Sequence, residues 1–103
     1  MHPAIRDRLP GLAPVCRRHR VRRLALFGSA ATDAFDPGAS DIDLLVEFDP
    51  LDVREYAGNY FALQEELEGL FGRSVDLVEA AAIRNPFFRR SVEERQVVVY
   101  GDA

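Results

Sequence analysis

The sequence predicts an α/β or α+β fold in which a small mixed β-sheet is covered by helices. Short apolar runs with a period of two, which are typical of half-buried strands, alternate with longer stretches of helical spacing. Their order is two helical pieces, strand, turn, strand, helix, strand, helix and strand. A chain of 103 residues can bury one hydrophobic core but not two, so we expect a single domain over residues 1–103.

The N-terminal segment is predicted to form two short helical pieces. Pro3 can begin the first, and Pro10 and Pro14 interrupt it because proline has no backbone N–H. The second piece ends near His19, where the surrounding arginines indicate a surface histidine rather than a metal ligand. Cys16 is the single cysteine, so it can form no internal disulfide and is interpreted as a space-filling thiol.

Two strands are predicted on either side of a turn-rich segment. The first is the apolar run 24–27, which ends at Gly28-Ser29, and the second is 41–48, which follows an Asp-Pro-Gly turn signal. Alternate residues of the second strand form one apolar face: Ile42, Leu44, Val46 and Phe48. The opposite face begins with two carboxylates, Asp41 and Asp43.

The rest of the chain is predicted to continue with helix, strand, helix and strand. Residues 53–71 have apolar side chains at helical spacing, and a glycine stop signal follows. Residues 74–79 form a third strand, in which Asp76 faces away from the more apolar side. A last helix can run from Pro86 to Arg95, and residues 96–100, which contain three β-branched valines, form the last strand.

Charge and hydropathy limit the classes of partner. The net charge is −4, yet residues 1–23 hold seven arginines and one acid, whereas residues 24–103 hold six arginines and sixteen acids. Such an acidic chain is a poor candidate for direct nucleic-acid binding, and the basic segment is either a solvated face or a surface for an acidic partner. The apolar runs are too short to span a membrane, and residues 1–23 lack the apolar segment of a signal peptide. We therefore expect a cytoplasmic protein without a membrane partner.

The paired carboxylates Asp41 and Asp43 indicate a cation site. Residues i and i+2 of a strand point to the same side about 6.5–7 Å apart, so the two side chains can converge on one hard cation or bind two. Magnesium typically binds through one or two carboxylates together with substrate phosphates. The pair therefore predicts a Mg²⁺ and nucleotide-phosphate site, whereas an Asp-x-Asp sequence alone is equally typical of a solvated strand end.

Gly28-Ser29 is the candidate for the other half of this site. Glycine lets the backbone approach a ligand closely, and a serine at a strand-to-helix turn offers its hydroxyl and exposed N–H groups to phosphate oxygens. The alternative is a plain helix N-cap, for which serine is a preferred residue. The joint occurrence of both motifs with the in-phase Asp76 favours the phosphate site.

Together these residues resemble the DNA polymerase β-like nucleotidyltransferase superfamily, and the short length is similar to its minimal nucleotidyltransferase (MNT) branch. The shared signature is Gly-Ser followed, after a short segment, by Asp-x-Asp at the start of a strand. Segments 21–29, 72–78 and 85–101 are also similar to that branch. The resemblance covers nearly the whole chain and implies the nucleotidyltransferase fold.

The resemblance also implies a role for each site residue. Gly28 and Ser29 would bind the triphosphate of ATP, and Asp41 and Asp43 would bind Mg²⁺. Asp76 would be the third catalytic carboxylate, which either completes the metal site or accepts the proton of the acceptor hydroxyl. A polar residue on a half-exposed strand is the alternative interpretation of Asp76.

Two features depart from the family pattern. Eleven residues separate Ser29 from Asp41, one more than is common, and a surface turn can absorb the insertion. Thr32 occupies a position where many members have an arginine that helps to neutralise phosphate charge. The remaining candidates for that task are metal ions and a set of arginines: Arg22, Arg73, Arg84, Arg89 and Arg90.

By resemblance, the chain is expected to be the antitoxin half of a HEPN/MNT pair, in which the MNT protein transfers AMP from ATP to a tyrosine of the HEPN ribonuclease toxin. The short chain agrees, since it leaves no room for an acceptor-binding domain. A catalytically weak or inactive MNT antitoxin that neutralises the toxin by direct binding is the alternative that Thr32 favours, and transfer to a small molecule would ordinarily need a further domain. Phe87-Phe88, beside two arginines, belongs either to the core or to a hetero-oligomer interface.

Overall fold

The fold is a four-stranded mixed sheet with helices on both faces, as the sequence predicts. The structure is a computed structural model that describes residues 1–101. Its helices and strands, in chain order, are α1 (Pro3–Arg6), α2 (Leu12–Arg18), β1 (Val21–Phe27), β2 (Ile42–Phe48), α3 (Val53–Phe71), β3 (Val75–Glu79), α4 (Pro86–Arg95) and β4 (Val97–Tyr100). Short 3₁₀ turns lie at Leu9–Gly11, Gly28–Ala31 and Ala80–Ala82.

The strand order brings the predicted site residues to one end of the sheet. The order is β3-β2-β1-β4, with β2 and β3 parallel and β1 antiparallel to both β2 and β4. The end of β1 therefore lies beside the first residues of β2, and β3 begins at the same level. Gly28 follows β1, while Asp43 and Asp76 lie near the starts of β2 and β3.

The two faces of the sheet bury separate apolar clusters. On one face, the side chains of α1, α2 and α3 cover β1 and β2, and Ile42, Leu44 and Val46 are fully buried, as the alternating pattern predicts. The other face carries a smaller cluster that packs against Val92 of α4: Ala25, Phe27, Leu45 and Ile83. Asp43 and Leu45 are two residues apart on β2, so their side chains point to the same face of the sheet. The candidate site therefore lies at one end of the face that α4 covers.

Helix α3 covers the outer edge of β3 as well as the sheet face. Gln64 donates a hydrogen bond of 3.0 Å from Nε2 to the carbonyl oxygen of Val75, and Glu68 Oε2 accepts a 3.0 Å bond from the N–H of Val75. Tyr60 donates its hydroxyl hydrogen to the carbonyl of Leu77. These side chains satisfy backbone groups that an edge strand would otherwise expose, and they hold the strand that carries Asp76 in place.

His19 and Cys16 are structural residues. The His19 side chain is only 14% exposed, because it lies between Asn59 and Glu66 of α3 and hydrogen-bonds to both. The prediction of a surface histidine was therefore wrong about burial, since these partners are distant in sequence. Cys16 is fully buried, and this burial raises the pKa of its thiol to about 12, which agrees with a space-filling role.

Within residues 1–101, none of the helices is both long enough and apolar enough to cross a membrane.

Candidate active site

The turn after β1 is built around Gly28. Its φ of +62° lies in the left-handed region, where glycine is favoured. Thr32 then closes the turn, because both its N–H and its hydroxyl donate 3.0 Å hydrogen bonds to the carbonyl oxygen of Ser29. The N-cap interpretation of Ser29 was wrong, since Phe27 occupies the N-cap position of this short 3₁₀ turn and makes no side-chain cap bond.

Asp43 and Asp76 are direct neighbours across two parallel strands. They are register partners in the pairing of β2 with β3, and Asp43 is also the partner of Phe27 in β1. Neighbouring strands lie about 4.8 Å apart, and register partners point to the same face. The structure therefore brings together two carboxylates that are 33 positions apart in the sequence.

Asp41 lies just outside the strand. It is exposed and comes one residue before the start of β2 at Ile42. The strand geometry expected for an Asp-x-Asp pair therefore holds for Asp43, whereas Asp41 belongs to the end of the preceding turn. Its charge still reaches Asp43, whose ionisation it disfavours.

The charges at this end of the sheet repel one another. Partial burial raises the pKa of Asp43, and the nearby carboxylates of Asp76 and then Asp41 raise it further. A group of like charges of this kind is stabilised when a cation binds among them. Asp41 and Asp76 therefore both lie close enough to Asp43 to act on it electrostatically.

The side chains at this site can bind Mg²⁺ only together with a ligand that contributes further oxygen atoms. Within residues 1–101, no three acidic, cysteine or histidine side chains are grouped so that they could hold a metal by themselves. Asp41 and Asp43 can still supply one or two hard oxygen ligands, with phosphate oxygens completing the octahedral shell that Mg²⁺ prefers. The metal-ligand role of Asp76 stays a prediction.

A cavity of about 350 Å³ lies next to the Gly-Ser turn. One wall is formed by the end of β1 and the turn, with Phe27, Gly28, Ser29 and Thr32. The other wall is one face of α4, with Phe88, Ser91, Val92 and Arg95. This position is suitable for a nucleotide whose phosphates approach the turn. The group of aspartates lies next to the cavity, because Gly28 is in contact with Asp43.

Sequence reasoning missed Ser91 and Arg95. The signal was present in the helical spacing, because positions 88, 91, 92 and 95 lie on one face of α4. This face lies against the Gly-Ser turn because β4, which follows α4, pairs with β1; in that pairing Val97 is the partner of Leu26. No local pattern predicts that long-range pairing.

Three of the arginines proposed to assist the phosphates are engaged elsewhere. Arg73 donates a 2.8 Å bond to the carbonyl of Pro37, and its guanidinium lies 5.1 Å from the centre of the Phe35 ring. Arg89 donates to the carbonyls of Ala80 and Ile83. Arg22 forms an exposed ion pair with Glu47 at 3.5 Å. The other two, Arg84 and Arg90, are exposed and lie outside the lining of the cavity beside the turn.

The two phenylalanines of α4 are not core residues. Phe87 is 82% exposed and Phe88 44% exposed. The Phe88 ring packs edge-to-face against Phe27, with ring centres 6.2 Å apart, so this residue serves the wall of the cavity. Phe87 remains available on the surface.

Comparison with known proteins identifies relatives in sequence. The family model of the nucleotidyltransferase domain matches residues 12–99. A protein of Methanocaldococcus jannaschii named "Putative protein adenylyltransferase MJ0128" is 39% identical over 82 residues, which correspond to 80% of this chain and 80% of that protein.

Solved structures share the fold. One is described as "Structure of putative minimal nucleotidyltransferase"; it is 31% identical, has a TM-score of 0.74, and the match covers 90% of both chains. A second is described as tri-AMPylated Shewanella oneidensis HEPN toxin in complex with MNT antitoxin; it is 20% identical with a TM-score of 0.63, and the match covers 94% of this chain and 72% of that chain. At that identity the second likeness shows the fold alone. The agreement of family, relatives and site geometry means that this chain belongs to the nucleotidyltransferase family, in its minimal branch.

Proposed function

We propose that this nucleotidyltransferase is a Mg²⁺-dependent protein adenylyltransferase that moves AMP from ATP to a tyrosine hydroxyl of a HEPN-type toxin. The observation that carries the proposal is the register pairing of Asp43 with Asp76 beside the Gly28 turn. The name of the Methanocaldococcus jannaschii relative and the AMPylated toxin in the Shewanella oneidensis complex support the acceptor class. We also propose that residues 1–103 act as one domain in a hetero-oligomer, without direct contact to nucleic acid.

The proposed roles follow from position. The N–H groups and hydroxyl of the Gly28-Ser29 turn bind phosphate oxygens, and the carboxylates of Asp41 and Asp43 hold Mg²⁺. Bound Mg²⁺ neutralises phosphate charge and lowers the pKa of a nearby hydroxyl. Asp43, which is the most enclosed of the three aspartates, lies against the turn and would hold the metal beside it.

Asp76 is suited to receive the proton of the acceptor. The tyrosine oxygen forms a bond to the α-phosphorus of ATP, the bond from that phosphorus to the bridging oxygen breaks, and pyrophosphate leaves. The hydroxyl proton passes to the carboxylate of Asp76, which is exposed on the edge strand β3 and can meet an acceptor from another molecule. The partial burial of Asp43 and the exposure of Asp76 thus suit the first to metal binding and the second to proton transfer.

The second candidate is an antitoxin that neutralises its partner by contact alone. Thr32 provides no charge to the cavity, and Phe87 offers an exposed aromatic side chain of the kind enriched at interfaces. Both proposals predict a stable complex, so complex formation alone does not distinguish them.

Intact-mass spectrometry of the toxin distinguishes the two candidates. The toxin is incubated with this protein, ATP and Mg²⁺, in parallel with an Asp43→Asn variant. The enzyme proposal expects adenylyl mass on the toxin with the wild-type protein and none with the variant. If the wild-type protein adds no mass and still silences the toxin, the contact-only function replaces the enzymatic one.

A further inference from the structure

We propose that Arg95 is the phosphate-binding cation of this site and that it supplies, from α4, the charge that Thr32 does not supply from the turn. The inference rests on the proposed function, because it takes ATP as the ligand of the cavity. It adds a binding residue that lies outside the Gly-Ser and Asp-x-Asp motifs. It also assigns α4 a direct part in substrate binding.

The first argument is the composition of the cavity. Among the described residues that line it, Arg95 is the one with a charged side chain; the others are Phe27, Gly28, Ser29, Thr32, Phe88, Ser91 and Val92. Arg95 and Thr32 lie on opposite walls of the same cavity, so a guanidinium extending from α4 reaches the space beside the turn. A guanidinium is well matched to phosphate because its planar N–H groups can donate two parallel bonds.

The second argument is that the backbone of Arg95 is fixed. Three residues earlier, Val92 is buried in the second apolar cluster. Immediately after Arg95, the N–H of Gln96 donates a 2.8 Å bond to the carbonyl of Val92. Val97 then pairs with Leu26 of β1, which is two residues from Gly28. The side chain of Arg95 therefore begins from a defined point next to the phosphate turn.

The start of α4 is also anchored. The Asn85 side chain caps the helix by accepting bonds of 2.9 and 3.2 Å from the N–H groups of Phe87 and Phe88. Phe88 packs against Phe27, the residue before Gly28. The helix wall is thus held against the turn at both ends.

The third argument is charge balance. The site already contains three mutually repelling carboxylates, and a triphosphate adds further negative charge. Arg22, Arg73 and Arg89 are held by Glu47, Pro37 and the Ile83 carbonyl respectively. Arg95, by contrast, lines the cavity. The simpler interpretation is a solvated arginine that interacts with the C-terminal end of the helix dipole, and it predicts no effect on nucleotide affinity.

Calorimetry with ATP and with adenosine tests the proposal, using Arg95→Ala and Arg95→Gln. A hydrogen-bonded charge contact is expected to change ATP affinity on the order of 10- to 100-fold, while adenosine affinity stays within about twofold because adenosine has no phosphates. Arg17→Ala is the matched control, since Arg17 is an exposed arginine in the last turn of α2 and lies away from the cavity. Unchanged melting temperatures establish that the variants fold.

The double variant Thr32→Arg/Arg95→Ala tests whether charge, rather than packing, binds the phosphates. Recovery of ATP affinity relative to Arg95→Ala supports the proposal, because the new arginine lines the same cavity. The proposal is overturned if Arg95→Ala and Arg95→Gln bind ATP as tightly as wild type, or if they lose ATP and adenosine affinity equally. Wild-type protein that binds no ATP with Mg²⁺ would instead remove the proposed function on which the inference rests.

Discussion

Gly28 and Asp43 are in such close contact that a Cβ atom at position 28 would lie 2.5 Å from Oδ2 of Asp43. Glycine is therefore required at position 28 for two reasons: the backbone has a positive φ, and the carboxylate of Asp43 occupies the space that a Cβ atom would need. Because the Gly28 turn and the Asp43 side chain are in contact, a change in one directly affects the position of the other.

Gly28→Ala is expected to abolish nucleotide binding and to lower stability by about 1–2 kcal/mol, the cost of a left-handed non-glycine residue. Calorimetry and thermal unfolding measure the two effects. Gly72→Ala is the matched control: its φ is +67°, similar to the +62° of Gly28, but no atom lies within 4 Å of its added Cβ. It should lose only the stability that the left-handed conformation costs, and it should keep ATP affinity. Equal ATP affinity in both variants would contradict the contact argument.

Asp43→Asn is expected to stabilise the free protein at pH 7 while it prevents AMP transfer. The pKa of Asp43 is raised in the folded state, so its favourable contribution to folding is complete below the ordinary value near 3.8. That contribution is lost as pH rises through the folded-state pKa. The charged carboxylate therefore destabilises the free fold at neutral pH, and asparagine removes this effect.

Thermal unfolding from pH 3 to pH 7 measures the difference between wild type and Asp43→Asn. The variant should melt higher at pH 7, and the gap should close toward pH 3, where Asp43 of the wild type is protonated. Asp33→Asn makes the same chemical change in an exposed turn and serves as control. A variant that melts lower than wild type at pH 7 would mean that the carboxylate stabilises the free protein.

Magnesium and ATP are expected to raise the melting temperature only when both are present. Binding to the native state adds about 2.7 kcal/mol of stability at a free ligand concentration one hundred times Kd. The Asp41→Asn/Asp43→Asn double variant removes the predicted metal ligands, so its melting temperature should not respond to ATP. The same rise with ATP in the presence of EDTA, or in the double variant, would exclude this metal site.

Asp76→Asn is expected to slow transfer more than it weakens ATP binding. A general base typically contributes about 10²- to 10⁴-fold to the rate, and the exposed Asp76 lies on β3 rather than beside the turn. Single-turnover transfer to the toxin and ATP calorimetry give the two quantities. Asp43→Asn should impair both, because that residue contacts the turn. Losses of equal size in rate and affinity for Asp76→Asn would assign it to metal binding instead.

Phe87→Ser is expected to weaken the complex with the toxin without affecting folding. The side chain is 82% exposed, so it contributes little to the stability of the fold. An aromatic side chain at an interface hot spot, by contrast, can contribute roughly 2 kcal/mol or more to binding. Val53→Ser is the control, since Val53 is 86% exposed and lies at the start of α3. Co-purification that survives Phe87→Ser unchanged would exclude this residue from the interface.

Local patterns were sufficient to predict the order of the elements and the position of Asp43, although β1 begins at Val21 rather than at residue 24 and Pro14 lies inside α2. The alternation in 42–48 identifies the buried face of β2, and the Asn-Pro and glycine signals mark the ends of α4 and α3 within a residue or two. The position of Asp43 follows from the same alternation. These features depend on neighbours in sequence, which is the information that periodicity carries.

Residues whose partners are remote could not be predicted in the same way. Arg95 joins the cavity because β4 pairs with β1, and His19 is buried because Glu66 and Asn59 of α3 lie against it. The closeness of Asp43 and Asp76 depends on the parallel register of β2 and β3, which a one-residue slip would change.

The hydrogen bonds between β3 and the side chains of Tyr60, Gln64 and Glu68 also determine where further strands can be added to the sheet. An added strand, whether from a second copy, an unfolded chain or a fused peptide, needs free backbone groups on the outermost strand. On the β3 side, the Val75 N–H and the carbonyls of Val75 and Leu77 are already bonded within the molecule. Strand exchange and fibrous aggregation are thereby directed to the Val97–Tyr100 edge, and an engineered fusion that extends the sheet has to begin there.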